Sequence, residues 1–229
     1  MALPFSVKTR LLLAAVLLVG PVAAHAQDPD PHEILRTVRA AQASQNQTMT
    51  GRIRTGGKSI PFQLVLAGKT ARYEFSDPPQ TLILRLQDRD ARLEEVTGGS
   101  LKAVTPARYD AQVRHTDISY EDLALKFLYW RNARVMGEDT IRTRRCWKVQ
   151  LAAPSKQSQY SNVMLWIDQQ GGALMRMEGY DWNLKLAKRF EVVSAQKIEG
   201  RWFLKQMRIE QLAPETGKVT ARTYLEIKK

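Results

Sequence analysis

The sequence predicts a mainly β (α+β) protein, one domain built mostly on one curved antiparallel sheet. Three observations predict it. Apolar residues alternate with period two along most of the 229-residue chain, as in Ile60, Phe62, Leu64 and Leu66. The alternating runs are short and end in turn chemistry such as Gly68-Lys69, Gly98-Gly99 and Glu199-Gly200. Only two segments show helical spacing. No linker or internal repeat divides the chain, and its length suits one sizeable domain.

The first segment reads as an address. Lys8 and Arg10 precede an apolar run over residues 11–19, Gly20-Pro21 breaks it, and Ala24-His25-Ala26 offers an A-x-A cleavage site. That is the grammar of a secretory signal peptide, and the run is too short to span a membrane. No cysteine stands near the cut, which excludes lipid attachment there. The expected parts are a signal peptide, 1–26, and a mature domain, 27–229, located in the periplasm. Cleavage lowers the net charge from +12 to +10 by removing two cations. An exported basic protein meets no genomic DNA or RNA, so no nucleic-acid partner is expected, and anionic lipid head groups or lipopolysaccharide take that place.

Asp30-Pro31 with Glu33 opens a helix to about Gln45, with Asp30 as cap, Glu33 in capping-box position and Ile34, Val38 and Ala41 at helical spacing. Asn46-Gln47-Thr48 is expected in a turn, its glycosylation-like pattern a chance match. Hairpins follow over residues 60–66, 70–76, 82–87 and 91–97, broken at Asp77-Pro78-Pro79. Residues 101–116 show no convincing period and read as a long loop with one short strand at most. Ser119 and Asp122 then fit a capping box, and Tyr120, Leu123, Ala124 and Phe127 share one helical face. Strands are expected over residues 134–137, 146–152, 162–168, 173–180, 185–195, 201–212 and 218–227, about ten or more in all.

In two of these strands both alternating sets are apolar. Val163, Leu165 and Ile167 oppose Met164 and Trp166; Phe203, Met207 and Ile209 oppose Trp202 and Leu204. A sheet with one wet face carries polar residues there, so the centre is expected to be covered on both sides, by helices or by something apolar bound within. Trp130, Met175 and Met177 belong to the same second-half concentration of aromatic and Met residues, which suits an apolar cavity that tolerates varied ligands.

The residues argue against an enzyme. His32 and His115 have no metal spacing, and there is no G-x-S-x-G, H-E-x-x-H or phosphate-cradling loop. No catalytic residue, metal site or cofactor is expected. The hydrolase alternative uses Cys146 behind Arg144-Arg145, with His115 as base, or carboxylates; for Cys146 the simpler reading is a buried structural thiol. Glu94 and Glu95 point to opposite faces of a strand, and Glu121-Asp122 favours a helix N-terminus. Arg142 and Arg144 share a face if their strand extends back that far, which suits a phosphate-bearing head group or an acidic partner.

The order of elements, the D-x-S-Y-E-D-L segment (Asp117, Ser119, Tyr120, Glu121, Asp122, Leu123), and the stretches VMLWID (163–168), LMRMEGY (174–180) and GRWFLKQMRI (200–209) resemble the LolA-like outer-membrane lipoprotein-sorting family. Met175-Arg176 stands where that rhythm usually has a proline before the basic residue. The resemblance implies a strongly curved open half-barrel with helices across the concave face, holding acyl chains of lipoproteins or other lipids between them. It implies a monomeric carrier that takes cargo from an inner-membrane transporter to an outer-membrane acceptor, or a sensor of RseB-like type. Tyr120, Leu123, Phe127, Trp130, Met164, Trp166, Met175, Met177, Phe203 and Met207 are then the cavity candidates, with the Tyr120–Phe127 helix as a lid.

Overall fold

The computed structural model of the protein describes residues 29–229; the expected signal peptide lies outside the described residues. Thirteen strands form one antiparallel sheet: β1 (Asn46–Thr55), β2 (Lys58–Ala67), β3 (Thr70–Phe75), β4 (Gln80–Leu86), β5 (Ala91–Thr97), β6 (Ser100–Ala103), β7 (Asn132–Ile141), β8 (Arg144–Ala152), β9 (Asn162–Asp168), β10 (Leu174–Tyr180), β11 (Leu186–Ile198), β12 (Arg201–Leu212) and β13 (Val219–Lys228). The spatial order is β6-β5-β4-β3-β2-β1-β13-β12-β11-β10-β9-β8-β7, not closed into a barrel. Two meanders, β1–β6 and β7–β13, are therefore joined by the pairing of the first strand with the last, with Ile53 opposite Leu225.

This order has one topological consequence. β6 and β7 follow each other in sequence but lie at opposite edges of the sheet. The connection between them, residues 104–131, has to cross the whole sheet. It does so as a strap of 3-10 turns around the short helix α2 (Tyr120–Ala124). The first helix, α1 (Pro31–Ala43), lies on the same face, burying Ile34, Leu35 and Val38 against β8, β9 and β10. Each such side chain contributes about 1.5–3 kcal/mol by burial. The Asp30 side chain caps α1 by accepting from His32 N at 2.9 Å, as its position predicts; Glu33 instead pairs with Arg36.

Residues opposite each other in an antiparallel pair share a face, so the registers sort the sheet into two. One face carries Val149, Leu165, Met177, Phe190, Ile209, Thr223 and Ile53 across successive strands. It is the apolar face, under α1 and the strap. The other carries Arg176, Glu191, Arg208, Tyr224 and Arg54 in register. There each carboxylate sits low between several half-exposed guanidiniums. Glu210 meets Arg222 at 2.9 Å, Arg208 at 3.4 Å and Arg189 at 3.7 Å, and Glu226 meets Arg52 at 2.6 Å and Arg54 at 2.7 Å.

This second face corrects the expectation that the central strands are covered on both sides by helices or ligand. Its apolar residues are few and lie under arginine and lysine stems. Trp166 is sandwiched between Lys148 at 5.3 Å and Arg176 at 5.4 Å, and its indole N–H donates to Asp139 at 2.8 Å. Met164 and Met175 pack around it with Ile141 and Cys146. Long cationic side chains cover apolar surface while keeping their heads in water, so apolar alternation on both faces arises without a second covering layer. Trp202, at the end of this pattern, is exposed.

Three elements differ from expectation. β1 takes in Asn46-Gln47-Thr48, read as a turn, and Asn46 Oδ1 accepts from Gly68 N at 3.0 Å. Its period is hidden by Gly51, between Met49 and Ile53, because the Phe62 ring occupies the space a side chain would need; a Cβ there would lie 2.6 Å from Phe62 Cε2. The mid-chain helix stops after Ala124, where Leu125 turns left-handed at φ +49°, so Phe127 belongs to a following 3-10 turn and not to a shared helical face. Arg142 falls in the β7–β8 turn with φ +57°, so the strand does not extend back through it.

Candidate functional site

The strap is the candidate site, because it is the irregular part of the cover over the apolar face. Apolar contacts supply its packing: Val104, Val113, Ile118, Tyr120 and Ala124 join the core of β1–β5 and β11–β13, while Phe127, Leu128 and Trp130 join that of α1 and β8–β10. Its position is set by polar pins. Near β5, Arg108 reaches Glu95 at 2.9 Å, and the Tyr120 hydroxyl donates to the same carboxylate at 3.0 Å. Burial raises the Glu95 carboxyl, but the hydrogen bonds from Gln80, Arg108 and Tyr120 outweigh it and hold the group below its ordinary range. At the sheet centre Asp117 accepts from Thr223 at 2.6 Å and from Thr55 at 3.4 Å. Arg114 donates to the carbonyls of Asp77 and Pro78.

The strongest pin lies under α2. Ser119 and Asp122 make the expected capping box, Asp122 N donating to Ser119 Oγ at 3.1 Å and Ser119 N to Asp122 Oδ2 at 2.8 Å. Asp122 then does more than cap. Its side chain is 1% exposed and forms an ion pair at 2.8 Å with Lys188 of β11, itself 7% exposed. The Tyr160 hydroxyl donates to the other carboxylate oxygen at 2.6 Å, and Gln159 Nε2 lies 3.4 Å from it. Burial and the neighbouring Asp122 push the Tyr160 phenol well above its ordinary value, so it stays a donor. A buried ion pair of this kind is weak as net stability, since desolvation offsets the attraction, but losing one partner is expensive. It fixes where the strap sits.

Glu121 beside it is also buried. Desolvation raises its carboxyl above the usual range, with only partial relief from Ser158 and Gln159, whose backbone N–H donates at 3.0 Å. It borders an open cavity of about 230 Å³ lined by Arg89, Asp90, Lys126, Tyr129 and Trp130 among others. Its lining mixes charged groups with the rings of Tyr109, Tyr129 and Trp130.

Gly179 shows how tightly the pin is built. It faces Val163 on the apolar side, and a Cβ there would lie 2.6 Å from Cδ1 and 2.8 Å from Cζ of Tyr160. We expect Gly179→Ala to push the ring off its place beneath Asp122 and to cost about 1–3 kcal/mol, the usual penalty of overpacking. Urea unfolding checks this, and a loss within error of zero would mean that the ring has room to move.

The predicted residues divide by face. Tyr120, Phe127, Trp130, Met177 and Phe203 are buried on the strap side, with Leu123 and Met207 half-buried against the same core. Met164, Trp166 and Met175 lie on the arginine side, and cannot share a space with the others. Arg144 holds Asp168 through two hydrogen bonds, at 2.9 and 2.7 Å, and Arg142 reaches Glu191 at 3.8 Å; both spend charge on the protein itself. Cys146 is buried, and desolvation raises its thiol, which fits a structural group. Glu94 and Glu95 do face opposite ways, Glu94 meeting Arg85 at 2.7 Å on the charged side. Among the described residues no group of His, Cys, Asp and Glu is placed to hold a metal, and no helix is long and apolar enough to cross a membrane. Lys188, Tyr160 and Asp117 are the residues that sequence reasoning missed as site members.

A family model described as "Uncharacterized protein" matches residues 99–229, the strap and the whole second meander. The chain belongs to that family. No curated protein matches the sequence. Among solved structures the chain is similar to a DUF1329 family protein from Desulfovibrio piger, with TM-score 0.63 and 20% identity over 88% of this chain and 92% of that one. It is also similar to a domain described as an outer membrane lipoprotein-sorting protein from Vibrio parahaemolyticus, with TM-score 0.68 and 13% identity over 87% of this chain and 90% of the other. A LolA superfamily protein from Nitrosomonas europaea gives 0.62 and 15% over 87% and 91%. The fold is LolA-like.

Proposed function

We propose that this LolA-like protein is a periplasmic carrier that binds acyl chains of lipoproteins or other lipids against the apolar face of its sheet, beneath the strap. The observation that carries the reading is the strap itself. The apolar face of the sheet is covered by α1 and by an irregular segment that a handful of polar pins locate. Apolar burial holds whatever covers such a face at about 25 cal/mol per Å², with little demand for polar geometry. An acyl chain lying on that face is closed over by the strap's own apolar side chains. In this reading the sheet bends as an open half-barrel, the strap is the lid, and cargo passes from an inner-membrane donor to an outer-membrane acceptor after cleavage at Ala26.

The fold-level similarity to lipoprotein-sorting proteins supports the reading. The test is transfer of a labelled phospholipid or acylated peptide to the purified mature protein, with tryptophan emission followed alongside. Affinity is expected to rise with chain length more than it changes with head-group chemistry. If the folded protein alters neither signal with any acylated ligand, the carrier reading fails, and a sensing role of RseB-like type becomes the better account.

A further inference from the structure

The carrier reading leaves open how the protein meets a bilayer. The registers place six strand connections at one end of the sheet, and four of them carry the patch: the β1–β2 turn at 56–57, the β8–β9 loop at 153–161, the β10–β11 turn at 181–185 and the β12–β13 turn at 213–218. This end is unusually apolar for loop tips. Trp182 is 40% exposed, Leu184 is 68% exposed, and Val219 at the neighbouring tip is also exposed. Around them stand Lys58, Lys156, Lys185 and Lys218, all exposed and, among the described residues, without an ion pair. The acidic residues of these four connections are Asp181 and Glu215. Asp181 is engaged within its own turn, accepting from the backbone N–H of Asn183 and Lys185 at 2.9 Å each.

Two details separate this patch from ordinary surface scatter. Leu184 sits at φ +61°, a left-handed position that glycine or asparagine fills without strain. A leucine held there, pointing its side chain at solvent, is costly for folding alone. Trp182 is held too: its indole N–H donates to Ser158 O at 2.9 Å and Lys156 lies over the ring at 5.9 Å, so the polar edge is satisfied while the body stays exposed. An amphipathic ring and an aliphatic tip within a rim of lysines is the chemistry of a bilayer interface carrying negative head groups.

The geometry points to this end as a docking surface for anionic lipid bilayers, with Trp182 and Leu184 entering the head-group layer and the lysines meeting phosphate. The same contact reaches the strap. Ser158, which holds the indole, directly precedes Gln159 and Tyr160, and these hold Glu121, Ser119 and Asp122. Seating Trp182 in a membrane therefore pulls on the loop that pins the lid. That coupling rests on the carrier reading; the docking does not.

The experiment is co-sedimentation of the cargo-free mature protein with phosphatidylcholine vesicles, with and without phosphatidylglycerol. Binding is expected only with the anionic lipid and falls as salt rises. Leu184→Gly and Leu184→Glu should each weaken it about ten-fold or more. Leu184→Gly should leave thermal stability unchanged or raised, an outcome that separates docking from a packing role. Trp202, exposed at the other end of the sheet, serves as the control, and Trp202→Ala should bind as the wild type does. No binding to anionic vesicles, equal binding by the Leu184 variants, or loss confined to Trp202→Ala would overturn the proposal. Acyl-ligand transfer measured on the same preparations reports the carrier reading separately, so either can fail alone.

Discussion

Lys188→Met is expected to destabilise the protein by about 3–5 kcal/mol at neutral pH, the cost of stranding a buried carboxylate. Asp122 keeps Tyr160, Ser119 N and Gln159 as donors, which places the loss toward the lower end of that range. The double variant Asp122→Asn with Lys188→Met removes both charges and should recover part of the loss, since the methionine stem fills the same path and the asparagine oxygen still accepts from Tyr160, while its amide nitrogen replaces the oxygen that accepted from Ser119 N. Chemical denaturation of the wild type, both single variants and the double variant closes the cycle. Equal losses in Lys188→Met and in the double variant would mean that Lys188 acts by packing and that the ion pair does not locate the strap. The charge pair carries a second consequence for cargo. Weakening the pin without altering the apolar surface should speed ligand entry and exit while leaving affinity for an acyl chain nearly unchanged.

Most of the sheet was legible because its signals are local. The bounds of β9 and β12 follow directly from alternation ended by Asp168 and by the Pro214–Gly217 turn. β1 was not legible, and the reason is physical. Gly51 takes a core-facing position where the Phe62 ring supplies the bulk from the next strand, so the apolar period of β1 is completed by a residue outside it. β6 is four exposed residues at an edge, with no buried face to impose a period.

The site was half legible. The capping box at Ser119 and Asp122 needs only a three-residue spacing, and it stands as read. What the spacing does not contain is Lys188, sixty-six residues away on β11, or Tyr160 across from Gly179. A charged residue within a strand otherwise apolar on that side, as Lys188 is beside Phe190, was the available signal. It asks for a buried partner, and an acidic pair at the start of a helix is one place to look. The face assignment failed for Met164, Trp166 and Met175 because apolar side chains under arginine stems look in sequence like those under a helix. Nothing local separates the two.

Leu123→Asp is expected to lower acyl-ligand affinity ten-fold or more while the protein still exports and folds. Leu123 is half-buried, on the strap, and packs against the core of β1–β5 and β11–β13 without being one of its fully buried members. An aspartate there can turn its carboxylate toward solvent, so the folding penalty stays smaller than at Phe127, whose fully covered ring would leave a cavity costing about 3–5 kcal/mol on truncation to alanine. The binding penalty does not shrink in the same way. If an acyl chain lies between strap and sheet, Leu123 is among the strap side chains that close over it, and a charge at that surface removes burial worth about 1.5–3 kcal/mol, with each 1.4 kcal/mol a factor of ten. The contrast with Lys188→Met is the decisive comparison. One variant loosens the lid and should change rates; the other spoils the apolar surface and should change affinity. A labelled acylated peptide titrated into both, with rates from stopped-flow tryptophan emission and affinities at equilibrium, reads the two effects separately. If Leu123→Asp binds as tightly as the wild type, the ligand does not lie under the strap, and the apolar face serves the fold alone.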